Sequence, residues 1–250
     1  MSLRNQSVAL LGDIYIGPYG GGSANRRLGS SSVLRLTHNV TQLEQPNYGK
    51  DGGQLNTFDR LTSIDCELSL DQLARENLAI ALRGLAAQSA AGSAAAEAAV
   101  AYRGGYIPFN FIGASNVVVK NQAGTTTYVA NTDYVVSGTG IVITAASAIT
   151  DAQSIQLAYD YPVQDSIEAI AGSRSFYTIL LDGVNEAEGN APVHFRGHKL
   201  QFPLANTLDL ISDGYGKLDI KARLLKDDTI VATGLSKFYN MKMLSAVGGL

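Results

Sequence analysis

In VHFRGHK, His194 and His198 stand four residues apart, the spacing that on a helix makes a metal-binding pair. The surrounding VHFRGHKLQF alternates as a strand does, and there such residues share a face but lie roughly 13 Å apart, too far to hold one ion. No Glu or third ligand lies nearby in the sequence. Asp65 and Glu67, two apart in IDCELSL, are the next candidates, as paired carboxylates for acid–base work. Cys66 lies between them on the opposite, apolar side, so it reads as a small buried hydrophobe and not as a reactive thiol. It is the one cysteine of the chain, which excludes an internal disulfide framework and a Cys-based zinc site. DGVNEAEGN, 182–190, carries scattered oxygen donors without the Asp-x-Asp-x-Asp-Gly spacing of a calcium loop, and reads as a turn between two strands. PYGGGSANRRLG looks like a phosphate cradle, but no Lys-Ser/Thr follows and no helix begins after it, so it reads as a plain loop. No GxSxG occurs. Nothing here predicts an enzyme, a metal or a cofactor.

Composition narrows the class further. Charged residues make up 16% of the 250-residue chain, well below the usual quarter, while Gly is abundant and Trp absent. A surface covered in part by small neutral side chains suits large flat interfaces between subunits at least as well as a solvated monomer. The net charge of −3 argues against a domain that binds nucleic acid by neutralising phosphates, and Arg26–Arg27 is too short a basic run to change that. The first residues hold no signal-peptide apolar core, and no uncharged apolar stretch reaches membrane-spanning length. The expectation is a soluble protein made in a cytoplasm, with its NQS and NVT sequons unused.

The elements that would position these residues are mostly strands. In SVLRLTHNVTQL, Leu34, Leu36, His38 and Val40 point one way and Arg35, Thr37, Asn39 and Thr41 the other. A long polar stretch follows, EQPNYGKDGGQLNTFDR, expected to be a functional or partner-ordered loop. In LTSIDCELSL, Ile64, Cys66, Leu68 and Leu70 share one face, and Ser63, Asp65, Glu67 and Ser69 the other. The period then changes: Leu70, Leu73, Ala74, Leu78, Ala81, Leu82 and Leu85 predict a helix over about 71–83. Ser69 with Gln72, or Asp71, would cap its start and Gly84 its end, with Arg75, Glu76 and Asn77 on the polar side. AAQSAAGSAAAEAAVA reads as a loose helical connector, or else a flexible linker. From Tyr106 to Tyr161, short strands parted by turns predict an inserted all-β subdomain over 105–164. SRSFYTILLDG, VHFRGHKLQFPLA, LDLIS and YGKLDIKARLLKD are again strands, and the tail after Tyr239 reads as an arm.

This order of elements resembles that of bacteriophage tail tube (major tail) proteins. The likeness begins with LGDIYIG, passes through SSVLRLTHNVTQL and the polar stretch, and reaches IDCELSLDQLARENLAIALRG, whose strand running into a helix is the most recognisable local pattern. NVVVKNQAGTTTYVANTDYVVSGTGIVI looks like the β module inserted in many such proteins, and the segment from FYTILLDG to LLKDD completes the likeness.

The resemblance implies a mainly β fold, a β-sandwich or barrel over 1–104 and 165–250, with one flanking α-helix and the inserted small all-β subdomain. It also implies hexameric rings stacked into the hollow tail tube of a virion assembled in the host cytoplasm. The partners would be other copies of the chain, other tail proteins and, transiently, passing DNA, with no membrane. Arg35, Asp65, Glu67, Asp219 and Lys221 are then candidates to line the channel, with the outer surface as the alternative for that face. Glu44, Tyr48, Lys50 and Asp51 would belong to an inter-ring loop over 44–58, with Asp59, just past its end, as a further candidate. A virion adhesin or carbohydrate-binding β module is the competing reading.

Overall fold

A computed structural model describes residues 7–22, 24–205, 207–208, 210–211 and 213–244. The chain is mainly β, with sixteen strands and one α-helix among the described residues. In chain order the strands are β1 (Leu10–Pro18), β2 (Arg26–Arg27), β3 (Ser31–Pro46), β4 (Gln54–Leu70), β5 (Leu85–Ser89), β6 (Gly92–Ala101), β7 (Tyr106–Pro108) and β8 (Ser115–Asn121). They continue as β9 (Tyr134–Val136), β10 (Gly140–Ile143), β11 (Gln153–Tyr161), β12 (Gln164–Glu168), β13 (Phe176–Asn185), β14 (Ala191–Gln201), β15 (Leu218–Leu224) and β16 (Tyr239–Met243). The helix, α1, is Arg75–Ala81. Two compact units form: the first is Met1–Leu85 with Ile167–Leu250, and the second is Ala86–Ser166.

The first unit is built on one antiparallel sheet in the order β2-β1-β13-β14-β15-β4-β3. β14 shares one of its sides between two strands: Leu200 and Gln201 pair with β15, while Val193–Gly197 pair with β16. The pleat alone explains why β4 can serve a core and a polar face together, because successive side chains leave opposite sides of the sheet. Ile64, Cys66, Leu68 and Leu70 are buried, while Ser63, Asp65, Glu67 and Ser69 between them are half-exposed. Leu218, Ile220, Ala222 and Leu224 of β15 alternate in the same sense and lie opposite them. These residues belong with Ile14 and Ile16 of β1, Ile179 of β13 and Phe195 of β14 to one buried cluster. Ala81, Leu78 and Ile80 of α1 pack against it. Burial of Cys66 pushes its thiol up to about 12, which keeps it in the neutral, unreactive form.

In the second unit two three-stranded sheets, β7-β10-β9 and β6-β11-β8, contribute to a separate core. Ile107, Tyr134, Ile141 and Ile143 come from the first sheet, and Ala101, Val119, Ile155, Leu157 and Tyr159 from the second. Phe109 packs on Tyr159 with ring centroids 4.5 Å apart. Asp133 precedes β9 and organises the loops at one end: its carboxylate accepts the N–H groups of Val129 and Ala148, each at 2.8 Å, and the Ser147 hydroxyl at 3.4 Å.

Several expectations are corrected. The Ala-rich stretch is no helical connector: it forms most of β5 and the whole of β6, the latter paired along β11, and it lies inside the second unit, which begins at Ala86 and not near 105. Alanine favours helix only weakly, and cross-strand pairing overrides it. The helix is shorter than 71–83 because β4 holds the chain extended to Leu70, and Ser69 donates to Asp219 in the sheet instead of capping. Its N-cap is Ala74, without a side-chain cap; Leu73 and Leu85 are exposed, and Asn77 is buried, donating to the Leu28 carbonyl at 2.7 Å. The polar stretch is not a loop but the distal part of a β-hairpin. The tail after Tyr239 begins as β16, whereas 245–250 lie outside the described residues. In LDLIS, Leu208, Leu210 and Ile211 belong to no strand.

Because those N–H donors favour its charged form, the Asp133 carboxyl sits below its ordinary value of 3.8. Its contribution is therefore fully present above about pH 4 and is lost as the pH falls through the lowered value. Thermal unfolding followed from about pH 5 down to about pH 2 should show the second unit weakening with acid, and Asp133→Asn should flatten that dependence while lowering stability at neutral pH.

Candidate functional site

The face of the sheet opposite the core carries a ladder of charge. Arg35 of β3, Glu67 of β4 and Lys221 of β15 occupy one cross-strand row. Arg35 Nη1 lies 3.4 Å from Glu67 Oε2, and Lys221 Nζ lies 3.3 Å from Glu67 Oε1. In the next row Asp65 stands between Thr37 and Arg223, with Arg223 Nε donating to Asp65 Oδ1 at 3.0 Å. Asn39 Nδ2 donates to the other oxygen of Asp65 at 2.7 Å and to Ser63 Oγ at 2.8 Å. On the other side of the Glu67 row, Ser69 Oγ donates to Asp219 Oδ1 at 2.6 Å, and Lys217 Nζ lies 3.9 Å from Asp71.

All five residues expected to line a channel, Arg35, Asp65, Glu67, Asp219 and Lys221, thus share this face. The sequence reading left Arg223, Asn39 and Lys217 out of the set. The signal that could have found Arg223 and Lys217 is the alternation of KLDIKAR, which puts Lys217, Asp219, Lys221 and Arg223 on one side. No sequence pattern states which strands are neighbours, so the opposition of Asp65 to Arg223 needed the fold. Four bases (Arg35, Lys217, Lys221, Arg223) and four acids (Asp65, Glu67, Asp71, Asp219) balance on the face. The Asp65 and Glu67 side chains are one-third exposed, against 60–69% for Arg35, Lys221 and Arg223, so the acids lie low between projecting bases. Each carboxylate is spent on such partners, which suits a smooth, neutral polar surface better than proton transfer.

The hairpin of β3 and β4 continues past the core. From His38 to Pro46 and from Gln54 to Thr62 every residue is exposed on both faces. Cross-strand pairing nevertheless runs to Pro46 opposite Gln54, with an irregularity where Val40 follows Asn39. At about 3.3 Å per residue, a 16-residue strand such as β3 is roughly 50 Å long. Val40 lies opposite Leu61 and Leu43 opposite Phe58, all exposed. The end is closed by Asn47, whose N–H donates to the Gly53 carbonyl at 2.9 Å and whose side chain accepts the Gly49 N–H at 2.8 Å. Of the residues assigned to an inter-ring loop, Glu44 is in β3 opposite Thr57 and Asp59 in β4 opposite Gln42. Tyr48, Lys50 and Asp51 occupy the exposed tip, Tyr48 almost fully solvated at 93%.

His194 and His198 lie on β14; His38 Nε2 is 3.1 Å from the Tyr239 hydroxyl. Among the described residues no three His, Cys, Asp or Glu side chains come together as metal ligands, and no helix is long and apolar enough to cross a membrane. Exposed ion pairs contribute about 0–1 kcal/mol each, and Glu67 makes two, so Glu67→Gln should lower unfolding free energy in urea by no more than ~2 kcal/mol. A larger loss would show that the ladder holds the fold together.

No curated protein matches the chain. A family model described as Protein of unknown function UCP028589 matches residues 7–242, nearly the whole sequence, and the chain belongs to that family.

Proposed function

We propose that this protein is a structural virion subunit of the tail tube type, which assembles with copies of itself into stacked hexameric rings enclosing a channel for DNA. It acts by assembly and not by catalysis. The observation that carries the reading is the hairpin that outruns its own core. A two-stranded ribbon is marginal in water by itself, and this one exposes Val40, Leu43, Leu55, Phe58 and Leu61. Among the described residues β3 has no neighbour but β4, so its other edge carries no strand. A long open edge is a template for another strand, and in a ring that strand belongs to the next subunit. Closing the edges around the ring makes a continuous barrel, whose charged-ladder face then lines the channel. Its balanced charges let a polyanion slide, where a strongly basic wall would hold it by releasing counterions. The hairpin tip, with Tyr48, Lys50 and Asp51, is the segment that reaches the adjacent ring.

Electron microscopy of the purified protein should show rings and hollow tubes; a monodisperse monomer at every concentration would defeat the reading. Glu44 already opposes Thr57, so replacing Gln45–Asn56 by Asn-Gly should leave a folded hairpin stub and block stacking into tubes. Normal tubes from that variant would remove the tip's role. Reversing Asp65 and Glu67 together to Lys turns the face strongly basic and should slow DNA ejection from assembled virions. An unchanged rate would move the ladder to the outside of the tube.

A further inference from the structure

The charge ladder spans three strands, β3, β4 and β15, and both of its outer edges are open. Among the described residues no strand lies on β3 opposite β4. β15 runs along β4 over its whole length, Leu218–Leu224. Its other edge meets β14 only through Leu224 with Leu200 and Arg223 with Gln201. Leu218–Ala222 therefore leave a second open edge on the same sheet, and unpaired backbone groups on an edge take another strand readily. The core is also incompletely covered on the β3 side. Cys66, Leu68, Ile220 and Ala222 are at most 3% exposed, whereas Leu34 and Leu36, level with them one strand further out, are only half-buried.

Direction and charge decide how two such edges meet. β3 and β15 are each antiparallel to β4, so they run the same way. Copies related by rotation about a ring axis then present the two edges as a parallel pair. Side chains alternate, so only a register shifted by an even number of residues keeps polar beside polar. The polar side of β15 carries Asp219, Lys221 and Arg223, with Lys217 just before it. Arg35 is the one charged residue on the polar side of β3 from Val33 to Thr41. Within one copy Arg35 is level with Lys221, so an unshifted neighbour would set its Arg35 beside that lysine. A shift toward the end of β15 reaches Arg223, whose edge Gln201 already holds, and a shift of four the other way reaches Lys217. A shift of two the other way brings Arg35 to Asp219, the one acid of the set. Like charges directly opposite each other destabilise a sheet, and opposite charges support it. Asp219 accepts Ser69 Oγ at 2.6 Å and has no ion pair among the described residues.

We propose that β3 of one copy pairs in parallel with the open edge of β15 of the next, Arg35 opposite Asp219 and Thr37 opposite Lys221. The inference rests on the ring assembly proposed for this chain and names the strands that join. In this register Leu34 and Leu36 lie beside Leu218 and Ile220 of the neighbour, so the apolar side continues across the joint as the polar side does. Backbone pairing and apolar cover supply the affinity, and the exposed charge pair selects the register. Each copy is displaced from the last by two residues, roughly 7 Å along the strand, and a sheet closes into a barrel only with such a stagger.

The test places cysteine pairs at the joint in the full chain. Arg35→Cys combined with Asp219→Cys should give a series of covalent multimers on mild oxidation, because only across the joint do the two sulfurs come within disulfide reach. Within one copy β4 stands between the two strands, and Cys66 is buried. Arg35→Cys combined with Lys221→Cys, the unshifted register, should stay monomeric on a denaturing gel. A second measurement needs no cysteine. Asp219→Arg alone and Arg35→Asp alone each set like charges at the joint and should raise the concentration needed for rings about tenfold. Mixed in equal amounts, the two variants place opposite charges at every joint of an alternating ring and should assemble as the unmodified chain does. Three results overturn the register while leaving the ring assembly standing. They are rings of the first cysteine variant that do not cross-link, cross-linking of the second, and a mixture that assembles no better than its components. Where the first cysteine variant forms no rings, the mixture decides. An unmodified chain that forms no rings at any concentration overturns both readings.

Discussion

The alternation of β4 is the constraint on which the first unit depends. Because side chains leave a strand on alternate sides, the seven residues Ile64–Leu70 send four apolar groups into the core and three polar ones to the opposite face. β3 and β15 flank β4 in register, so each row of the polar face places a β4 side chain between two neighbours. The same pairing that packs Leu68 against the core sets Glu67 between Arg35 and Lys221. A one-residue slip of β4 would bury the acids and expose the leucines together, which fixes the register without help from the ion pairs.

Beyond Ile64 the same two strands keep their backbone pairing and lose their core. Backbone hydrogen bonding alone does not favour one face over another, so nothing in the distal hairpin separates inside from outside. Its apolar residues Val40, Leu43, Leu55, Phe58 and Leu61 are exposed on a ribbon without a core. Packing is divided along one strand: the half of β4 near α1 is buried against the core, and the far half is exposed on both faces.

The sequence showed clearly wherever burial imposed a contrast. IDCELSL and KLDIKAR alternate between strongly apolar and charged residues, and both are strands with the faces expected. The polar stretch 44–58 hid its strands because both faces meet solvent, and a strand without a buried side has no period-two contrast to display. β6 hid for the opposite reason: Gly, Ser and Ala differ too little for alternation to register, although Ala101 is buried and its neighbour Val100 is exposed. The helix of LDQLARENLAIALRG was legible in kind but overestimated in length, since its apolar spacing continues into residues that the sheet claims first.

What the sequence by itself determined is local: the strand faces of β4 and β15, the buried thiol, the existence of α1 and the all-β character of the second unit. These follow from side-chain chemistry and a fixed backbone period. Tertiary structure decided which strands are neighbours, and with that the pairing of Asp65 with Arg223. It also decided that the hairpin outruns its core and that β15 meets β14 only at Leu200 and Gln201. Such contacts join residues far apart in the chain, and their free energy depends on the shared burial of surfaces that no short stretch of sequence contains.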